Sequence, residues 1–179
     1  MANRSSNIER NLWTIEKLKI NPGDAILEIG CGPGIALSEA SKFIDEGQII
    51  GLDHSQTMIK QAAVRVRKHN RGNKIQLVLG TLNNISERNQ LFDKIFSVNV
   101  VQFWDNQETE FKRMFSCLKK HGIAVTTYMP RARNSTRKDA LEMADMVAMH
   151  MKNAGFLEIK ISELATKHVP TVCITGQRR

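Results

Sequence analysis

Residues 26–34 read ILEIGCGPG, a short apolar run that is followed at once by three closely spaced glycines. The run is rich in Ile and Leu without alternation, which is typical of a strand buried on both faces of a parallel sheet. Glycine adopts backbone angles closed to other residues and lets a ligand approach the main chain. A helix that begins at about Gly34 would add free N–H groups at its positive end. The segment therefore predicts a strand, a turn and a helix that border a nucleotide-sized crevice.

The spacing of these glycines argues against two common nucleotide sites. A dinucleotide fingerprint counted from Gly30 needs its third glycine at position 35, which is Ile35 in this chain. A phosphate-binding P-loop needs a Gly-Lys-Ser/Thr sequence after the turn, and none follows. A nicotinamide-dependent oxidoreductase is therefore the least favoured alternative.

Outward from this turn, the chain alternates short apolar strands with amphipathic helices. Strands are predicted at 25–29, 48–52, 75–79, 94–101, 122–128, 156–164 and 172–175. Helices are predicted at about 8–18, 34–45, 108–120 and 137–153, and a further helix follows Ser55, a suitable N-cap. This alternation predicts a mostly parallel sheet that is covered on both faces. A short connection joins the last two strands, so they should pair antiparallel, with Pro170 ahead of the final strand.

Length and composition fit one domain over residues 1–179, in which residues 1–20 form an N-terminal helical segment that could act as a lid. The chain is 41% hydrophobic and 25% charged, which is ordinary globular composition. It has neither a run of about 18 apolar residues nor the apolar segment of a secretory signal. Its three cysteines, Cys31, Cys117 and Cys173, are widely spaced, which indicates free thiols and offers no zinc cluster. We therefore expect a cytoplasmic protein with no membrane association and no bound metal.

Several segments together resemble one enzyme family. LKINPGDAILEIGCGPG, at 18–34, looks like motif I of the class I, Rossmann-like S-adenosylmethionine-dependent methyltransferases of the small-molecule, UbiE-like type. Later segments resemble the family's further strands in the right order: IIGLDHSQTMIKQA from 49, LVLGTLNNI from 77, FDKIFSVNVVQFW from 92, LKKHGIAVTTY from 118 and AGFLEIKI from 154. The resemblance covers nearly the whole chain. It implies S-adenosylmethionine as cofactor and a three-layer α/β fold, with a mostly parallel seven-stranded sheet and an antiparallel C-terminal strand.

The resemblance also implies roles around the glycine turn. Asp53, 23 residues after Gly30 (53 − 30 = 23), would accept hydrogen bonds from the ribose hydroxyls, although it could instead cap a helix or a turn. Glu28 would either meet the cofactor's amino group or bond the backbone of the turn. Cys31 belongs to this site as a small packing residue without chemistry of its own. Three glycines would admit the methionine part of the cofactor: Gly30, Gly32 and Gly34.

The adenine end of the site is less well defined by the resemblance. Either His54 or Met58 could pack against the adenine ring, and the sequence does not choose between them. Gly80, Thr81 and Leu82 follow the third strand, and many relatives have Asp where Thr81 stands. This departure puts the usual contact to the adenine amino group in doubt, although the backbone of Thr81 and Leu82 could still reach the ring.

The end of the fourth strand is predicted to lie between the cofactor and the acceptor. A main-chain carbonyl of Val98 or Asn99 would hold the cofactor's amino group. Asn99 and Gln102 would face the acceptor, unless they only cap the end of the strand. Trp104, with Phe103 beside it, would either form a wall of the pocket or fill the core.

The acceptor itself is not specified by any motif. Methyl transfer from a sulfonium needs positioning and exclusion of water, and no dedicated base is apparent. The formal net charge is +8, but the densest basic run, at 65–74, should lie at the sheet edge opposite the crevice. One basic cluster should lie on the active side, where it could attract an anionic acceptor or simply be a solvated loop: Arg131, Arg133, Arg137 and Lys138.

These observations favour a small-molecule acceptor, because the N-terminal helix and residues 130–136 are the only segments left to form a lid. The alternatives are an RNA methyltransferase and a non-catalytic module that binds S-adenosylmethionine. The oligomeric state is not predicted.

Overall fold

The computed structural model describes residues 4–67, 74–85, 91–166 and 169–179, with side chains from residue 7 onward. The helices of this part of the chain are α1 (Arg4–Leu18), α2 (Ile35–Ala40), α3 (Gln56–Val66), α4 (Gln107–Cys117) and α5 (Arg137–Ala154). The strands are β1 (Ala25–Ile29), β2 (Gln48–Asp53), β3 (Ile75–Leu79), β4 (Phe92–Val98), β5 (Leu118–Tyr128), β6 (Leu157–Leu164) and β7 (Thr171–Gln177). None of the described helices is both long and apolar enough to cross a membrane.

The strands form one sheet in the order β3-β2-β1-β4-β5-β7-β6. Strands β1 to β5 run parallel, whereas β7 pairs antiparallel with both β5 and β6. The predicted mostly parallel, seven-stranded sheet is therefore confirmed, and Pro170 does precede the last strand. The order of the strands reverses between β1 and β4, and parallel sheets bind ligands at the carboxyl ends of such a pair.

Two buried clusters cover the two faces of the sheet. Ile26 packs with Ile15 of α1 and Leu37 of α2 on one face, and Leu27 packs with Phe111 of α4 and Val147 of α5 on the other. Because successive side chains of a strand point to opposite faces, a strand covered on both faces needs apolar residues without alternation. This requirement explains why Ile26, Leu27 and Ile29 are all apolar, with Glu28 as the exception in the run.

The largest departure from the sequence prediction lies between α4 and β5. The helix predicted to reach residue 120 ends at Cys117, and β5 begins at Leu118, which is fully buried and pairs with Phe92. The register then shifts, so that the next pair joins Lys94 to Ile123, and His121, which lies within the shift, adopts a left-handed φ of 65°. Burial of Leu118 in the sheet therefore overrides the helical pattern of this segment.

Two further boundaries differ from the prediction. Helix α2 ends at Ala40, and the segment Ser41–Phe43 continues as a 3-10 turn instead of completing a helix to residue 45. Strand β4 ends at Val98, and Val101–Phe103 forms a 3-10 turn where the strand was expected to continue. The end of α5 at Gly155, with a φ of 103°, agrees with the prediction.

Candidate functional site

A cavity of about 830 Å³ opens at the carboxyl ends of β1, β2 and β4, where the strand order reverses. Its volume lies within the range of small-molecule sites. Its floor is the glycine turn after β1, and its remaining walls come from the ends of β2, β3 and β4, from α1, from the beginning of α4 and from Arg131. The cavity therefore lies where the sequence predicted the crevice.

The three glycines of the turn serve different purposes. Each adopts a left-handed φ, of 69° at Gly30, 52° at Gly32 and 77° at Gly34, which other residues rarely adopt. A Cβ added to Gly32 would meet no atom within 4 Å, whereas one on Gly34 would lie 3.1 Å from Ala62 of α3. Gly30 and Gly32 line the cavity, but Gly34 does not. Gly34 therefore lets the turn pack against α3, and its place at the cofactor stays a prediction that the cavity lining does not support.

Asp53 connects the end of β2 to the glycine turn. Its Oδ2 accepts a hydrogen bond from the Gly32 amide and its Oδ1 accepts one from the Ser55 amide, each at 2.8 Å. The residue is only 6% exposed, yet it lines the cavity. Each carboxylate oxygen can accept a further hydrogen bond. The two predicted roles, ribose binding and a structural cap, are therefore compatible in one residue.

Glu28 is a buried acid beside the cavity. It is 2% exposed, and its Oε2 has no hydrogen-bond partner among the described residues. Burial raises the pKa of this carboxyl well above its ordinary value, a backbone hydrogen bond from Leu37 opposes the rise, and the negative charge of Asp53 adds to it. A cationic group in the cavity would supply the missing partner and favour the ionised form.

The remaining members of the turn and of the adenine end also reach the cavity. His54 is exposed and Met58 is half-buried, and both line it, so the structure does not choose between them. Cys31 is packed in the core, where burial raises the pKa of its thiol. That environment agrees with a packing role and disfavours a thiolate.

Thr81 is held by a local cap. Its hydroxyl accepts from the Asn84 amide, and the Asn84 side chain accepts from the Thr81 amide at 2.8 Å, which caps the 3-10 turn Leu82–Asn84. Gly80, Thr81 and Leu82 all line the cavity, as does Asn83, which the sequence prediction missed. The side chain of Asn83 carries both donors and acceptors, although no motif marks it out.

The end of β4 is tied to the segment that follows β5. Asn99, with a left-handed φ of 56°, donates from Nδ2 to the Met129 carbonyl at 3.3 Å and accepts from the Met129 amide at 2.8 Å. Gln102 folds back and donates to the Asn99 carbonyl at 2.9 Å. Val98 and Asn99 line the cavity, but Gln102 does not. Of the two roles predicted for Gln102, the structure shows the cap of the strand end, and its role toward the acceptor stays a prediction that the cavity lining does not support.

Two aromatic side chains follow this strand end and line the cavity. Trp104 packs edge-on against Phe111, with ring centroids 5.3 Å apart, so it is both a wall of the cavity and part of the core. Phe103 is 72% exposed at the rim. An apolar side chain that remains this exposed beside a cavity is available to contact a ligand.

Helix α1 supplies a wall that the sequence prediction left without named residues. Asn7, Arg10 and Asn11 line the cavity. Thr14 anchors the helix by donating to Thr127 of β5 at 2.8 Å. These positions recur at intervals of three and four residues, which is the spacing of one helical face. A polar face on a helix whose other positions fill the core was the signal that could have identified them.

Arg10 is the most unusual of these residues, since it is 1% exposed. It donates to Met129 Sδ at 3.5 Å and to the side-chain oxygen of Asn7, while its Nε has no partner among the described residues. Burial and then the charge of Arg131 lower the pKa of Arg10 to about 10.

The beginning of α4 forms the opposite wall, which the sequence prediction also missed. Its cavity-lining residues are Asp105, Asn106, Thr109, Glu110 and Arg113. Asn106 caps the helix by accepting from the Thr109 amide at 2.9 Å, and Arg113 is paired with Glu110. These are ordinary features of a helix start, so nothing in the sequence separates them from a structural cap.

The basic cluster that follows β5 divides into two groups. Arg131 is exposed and lines the cavity, whereas Arg133 is exposed but does not line it. The other two cations are paired with acids: Arg137 with Glu163 at 2.7 Å and Lys138 with Glu142 at 3.6 Å. Arg131 is therefore the member of this cluster that is available to a ligand.

The basic run at 65–74 begins closer to the site than expected. Arg65 donates from Nε to the Pro33 carbonyl at 2.8 Å and so contacts the outer side of the glycine turn. The expectation that the whole run lies at the opposite edge is therefore wrong for Arg65. Lys74, at the other end, pairs with Asp45 at 3.2 Å, and residues 68–73 lie outside the described part.

Comparison with known proteins agrees with this arrangement. The sequence profile of the family described as "Methyltransferase domain" matches residues 26–122. An uncharacterized methyltransferase of Bacillus subtilis, YdaC, is 30% identical over 174 residues, which are 97% of this chain and 94% of that protein. A demethylmenaquinone methyltransferase of Lactobacillus johnsonii is 31% identical over 134 residues, which are 71% of this chain and only 55% of that protein.

Among solved structures, the fold is similar to that of a SAM-dependent methyltransferase from Aquifex aeolicus. The TM-score is 0.78 at 14% identity, over 99% of this chain and 100% of the other. This likeness concerns the fold, and the family assignment follows from the sequence profile and from the relative that matches along its length. The chain therefore belongs to the methyltransferase domain family and is an S-adenosylmethionine-dependent methyltransferase.

Proposed function

We propose that the enzyme transfers the methyl group of S-adenosylmethionine to a small molecule that binds beside the cofactor, between α1, Arg131 and the beginning of α4. The observation that carries this proposal is the extent of the cavity. Its walls continue past the residues suited to the cofactor onto polar and aromatic side chains from three separate segments. A cavity of about 830 Å³ with walls on both sides fits two small molecules better than a polymer.

The residues around the glycine turn suit the cofactor in their chemistry. The Oε2 of Glu28 has no hydrogen-bond partner among the described residues, and the ammonium group of the cofactor would supply one. The two oxygens of Asp53 can each accept one hydroxyl of the ribose. The open space beside Gly32 admits a ligand close to the main chain. We propose that these three residues hold the cofactor, while His54, Met58 and the segment 80–83 surround its adenine.

The cofactor, when bound, supplies an electrophilic methyl group on a positively charged sulfur. The task of this chain is then to align the acceptor with that methyl group and to exclude water from it. Trp104 and Phe103 supply apolar walls, and the polar residues of α1 and α4 would orient the acceptor. The name of the demethylmenaquinone relative supports an acceptor of small-molecule size, although this chain spans about half of that protein.

The proposal is tested by following release of S-adenosylhomocysteine from S-adenosylmethionine with a panel of phenols, quinols, amines and carboxylates, and separately with RNA. We expect release with at least one small-molecule class and none with RNA. Asp53→Ala should abolish release, and the control Asp45→Ala, at an exposed carboxylate paired with Lys74, should not change it. Release with RNA alone would establish the nucleic-acid alternative. Binding of S-adenosylhomocysteine without release across the panel would instead indicate a non-catalytic module.

A further inference from the structure

Two cations in the wall of the cavity lack an acidic partner. Arg10 is 1% exposed, and among the described residues it contacts only Asn7 and Met129 as hydrogen-bond acceptors. Arg131 makes no ion pair in the described part of the chain. By contrast, Arg113 on the opposite wall is paired with Glu110. The local excess of positive charge is therefore confined to the wall where α1 meets the end of β5.

An unpaired buried guanidinium is costly, because it has lost water without gaining a counter-charge. The neighbouring charge of Arg131 adds repulsion, and with burial it lowers the pKa of Arg10 to about 10. Met129 Sδ is a weak acceptor, and Nε has no partner. An oxyanion would satisfy both needs, since it carries the opposite charge and accepts hydrogen bonds from a guanidinium in a planar, two-pronged geometry.

The position of this charge separates it from the residues suited to the cofactor. Glu28 and Asp53 lie at the ends of β1 and β2, so the acidic side chains that line the cavity floor stand on these two strands. Arg10 contacts Met129, which follows β5, and Arg131 is two residues further on. The strand order places β4 between these two groups, with Asn99 at its end. The cations therefore lie toward the β5 side of the cavity, where the proposed function places the acceptor.

We propose that Arg10 and Arg131 bind an anionic group of the acceptor, a carboxylate or a phosphate, with Asn7 and Asn11 as additional donors. This inference rests on the proposed function, because it assigns the substrate class of the same cavity. It predicts that the enzyme methylates small molecules that carry a negative charge at a fixed distance from the methylated atom.

The test uses the protein saturated with S-adenosylhomocysteine and titrated calorimetrically with inorganic phosphate and with benzoate. We expect the wild type to bind at least one of them, and Arg131→Gln to weaken that binding about tenfold, as expected for loss of a hydrogen bond to a charged group. Arg133→Gln removes the same charge from the same exposed segment outside the cavity, so binding should not change. Arg10→Lys keeps the charge but loses the planar donor geometry, so it should also weaken binding. Urea unfolding of each variant separates this effect from loss of folding.

A second arm distinguishes the acceptor's anion from the carboxylate of the cofactor. S-adenosylhomocysteine carries that carboxylate and 5′-methylthioadenosine lacks it, so their binding is compared in the wild type and in Arg131→Gln. If Arg131→Gln binds S-adenosylhomocysteine as tightly as the wild type does, and likewise binds 5′-methylthioadenosine as tightly, the acceptor site is supported. If Arg131→Gln binds S-adenosylhomocysteine more weakly but 5′-methylthioadenosine as tightly as the wild type, the proposal is overturned in favour of the cofactor's carboxylate. The proposal is also overturned if the wild type binds neither phosphate nor benzoate, or if the variants bind both as tightly as the wild type. Failure of the wild type to bind S-adenosylhomocysteine would count instead against the cofactor assignments of the proposed function.

Discussion

Substitution of Asp53 by Asn is the most informative single change in the site. The residue keeps its size, but its amide has one acceptor oxygen where the carboxylate has two. In the structure, both oxygens accept backbone hydrogen bonds at 2.8 Å, from Gly32 and from Ser55. One of these N–H groups would then face an amide NH2. Leaving a buried donor without an acceptor should lower the free energy of unfolding by about 1 to 3 kcal/mol.

The same change should weaken the cofactor's binding by a separate route. If both oxygens of Asp53 also accept ribose hydroxyls, the variant loses one charge-assisted hydrogen bond, worth about 1.5 to 3 kcal/mol. The dissociation constant of S-adenosylhomocysteine should then rise about tenfold to a hundredfold. Calorimetric titration measures this constant, urea unfolding measures the stability, and Asp45→Asn serves as the control for loss of an exposed carboxylate.

The two routes are separated by the 2′-deoxy analogue of S-adenosylhomocysteine. Removal of one hydroxyl should cost the wild type much of its affinity and should cost Asp53→Asn considerably less, because the variant has already lost one partner. If both proteins pay the same penalty for the missing hydroxyl, or if the variant binds S-adenosylhomocysteine within about threefold of the wild type, Asp53 only organises the turn and the ribose assignment is refuted.

Two further predictions concern the floor of the cavity. Glu28→Gln should raise the free energy of unfolding of the cofactor-free protein in mildly alkaline buffer. The folded protein holds the proton of Glu28 more tightly than the unfolded chain does, because burial raises the pKa of this carboxyl. The wild type is therefore stabilised by this proton below the ordinary pKa and loses that stabilisation as the pH rises through the raised pKa. Urea unfolding in acidic and in alkaline buffer measures this effect. Calorimetry should also show that the variant binds S-adenosylhomocysteine more weakly. A variant that is less stable than the wild type in alkaline buffer would contradict the raised pKa of Glu28. Gly34→Ala should cost about 1 to 2 kcal/mol, because alanine is strained at a φ of 77° and its Cβ would lie 3.1 Å from Ala62. Gly23→Ala, where a Cβ would meet nothing within 4 Å, is the matched control, and equal unfolding free energies of the two variants would contradict this account.

The sheet could be predicted from the sequence because each central strand must be largely apolar on both faces. That constraint is local, so it is visible in adjacent apolar pairs such as Ile26 with Leu27 and Ile95 with Phe96, whose members belong to opposite clusters. The prediction was wrong where the local pattern of a segment competed with pairing to a strand that is distant in sequence. Residues 118–120 continue the helical pattern of α4, and only the pairing of Leu118 with Phe92, which is remote in sequence, makes them a strand. Such a pairing has no signature in a window of neighbouring residues.

The same distinction divides the candidate site. The residues suited to the cofactor follow directly from strands β1 to β4, so a motif can mark them. The wall proposed for the acceptor is formed by packing of α1 onto the end of β5, and the contact from Arg10 to Met129 joins residues 119 positions apart. Gln102 shows the complementary difficulty, since the sequence left open whether a polar residue near a strand end faces a ligand or caps the strand, and only the structure shows its bond to the Asn99 carbonyl.

The hydrogen bonds of the site explain how its two halves can change independently. The glycine turn is fastened to β2, because the Gly30 and Cys31 amides donate to the Leu52 carbonyl and the Gly32 amide donates to Asp53. The wall proposed for the acceptor is fastened elsewhere, through two hydrogen bonds between Asn99 and Met129 and one from Arg10 to Met129. Substitutions on α1 or around residue 131 can therefore alter what the acceptor half binds while the turn keeps all of these bonds. In the proposed function, the glycine motif then identifies the methyl donor, whereas the side chains of α1 and of the segment after β5 would determine the acceptor.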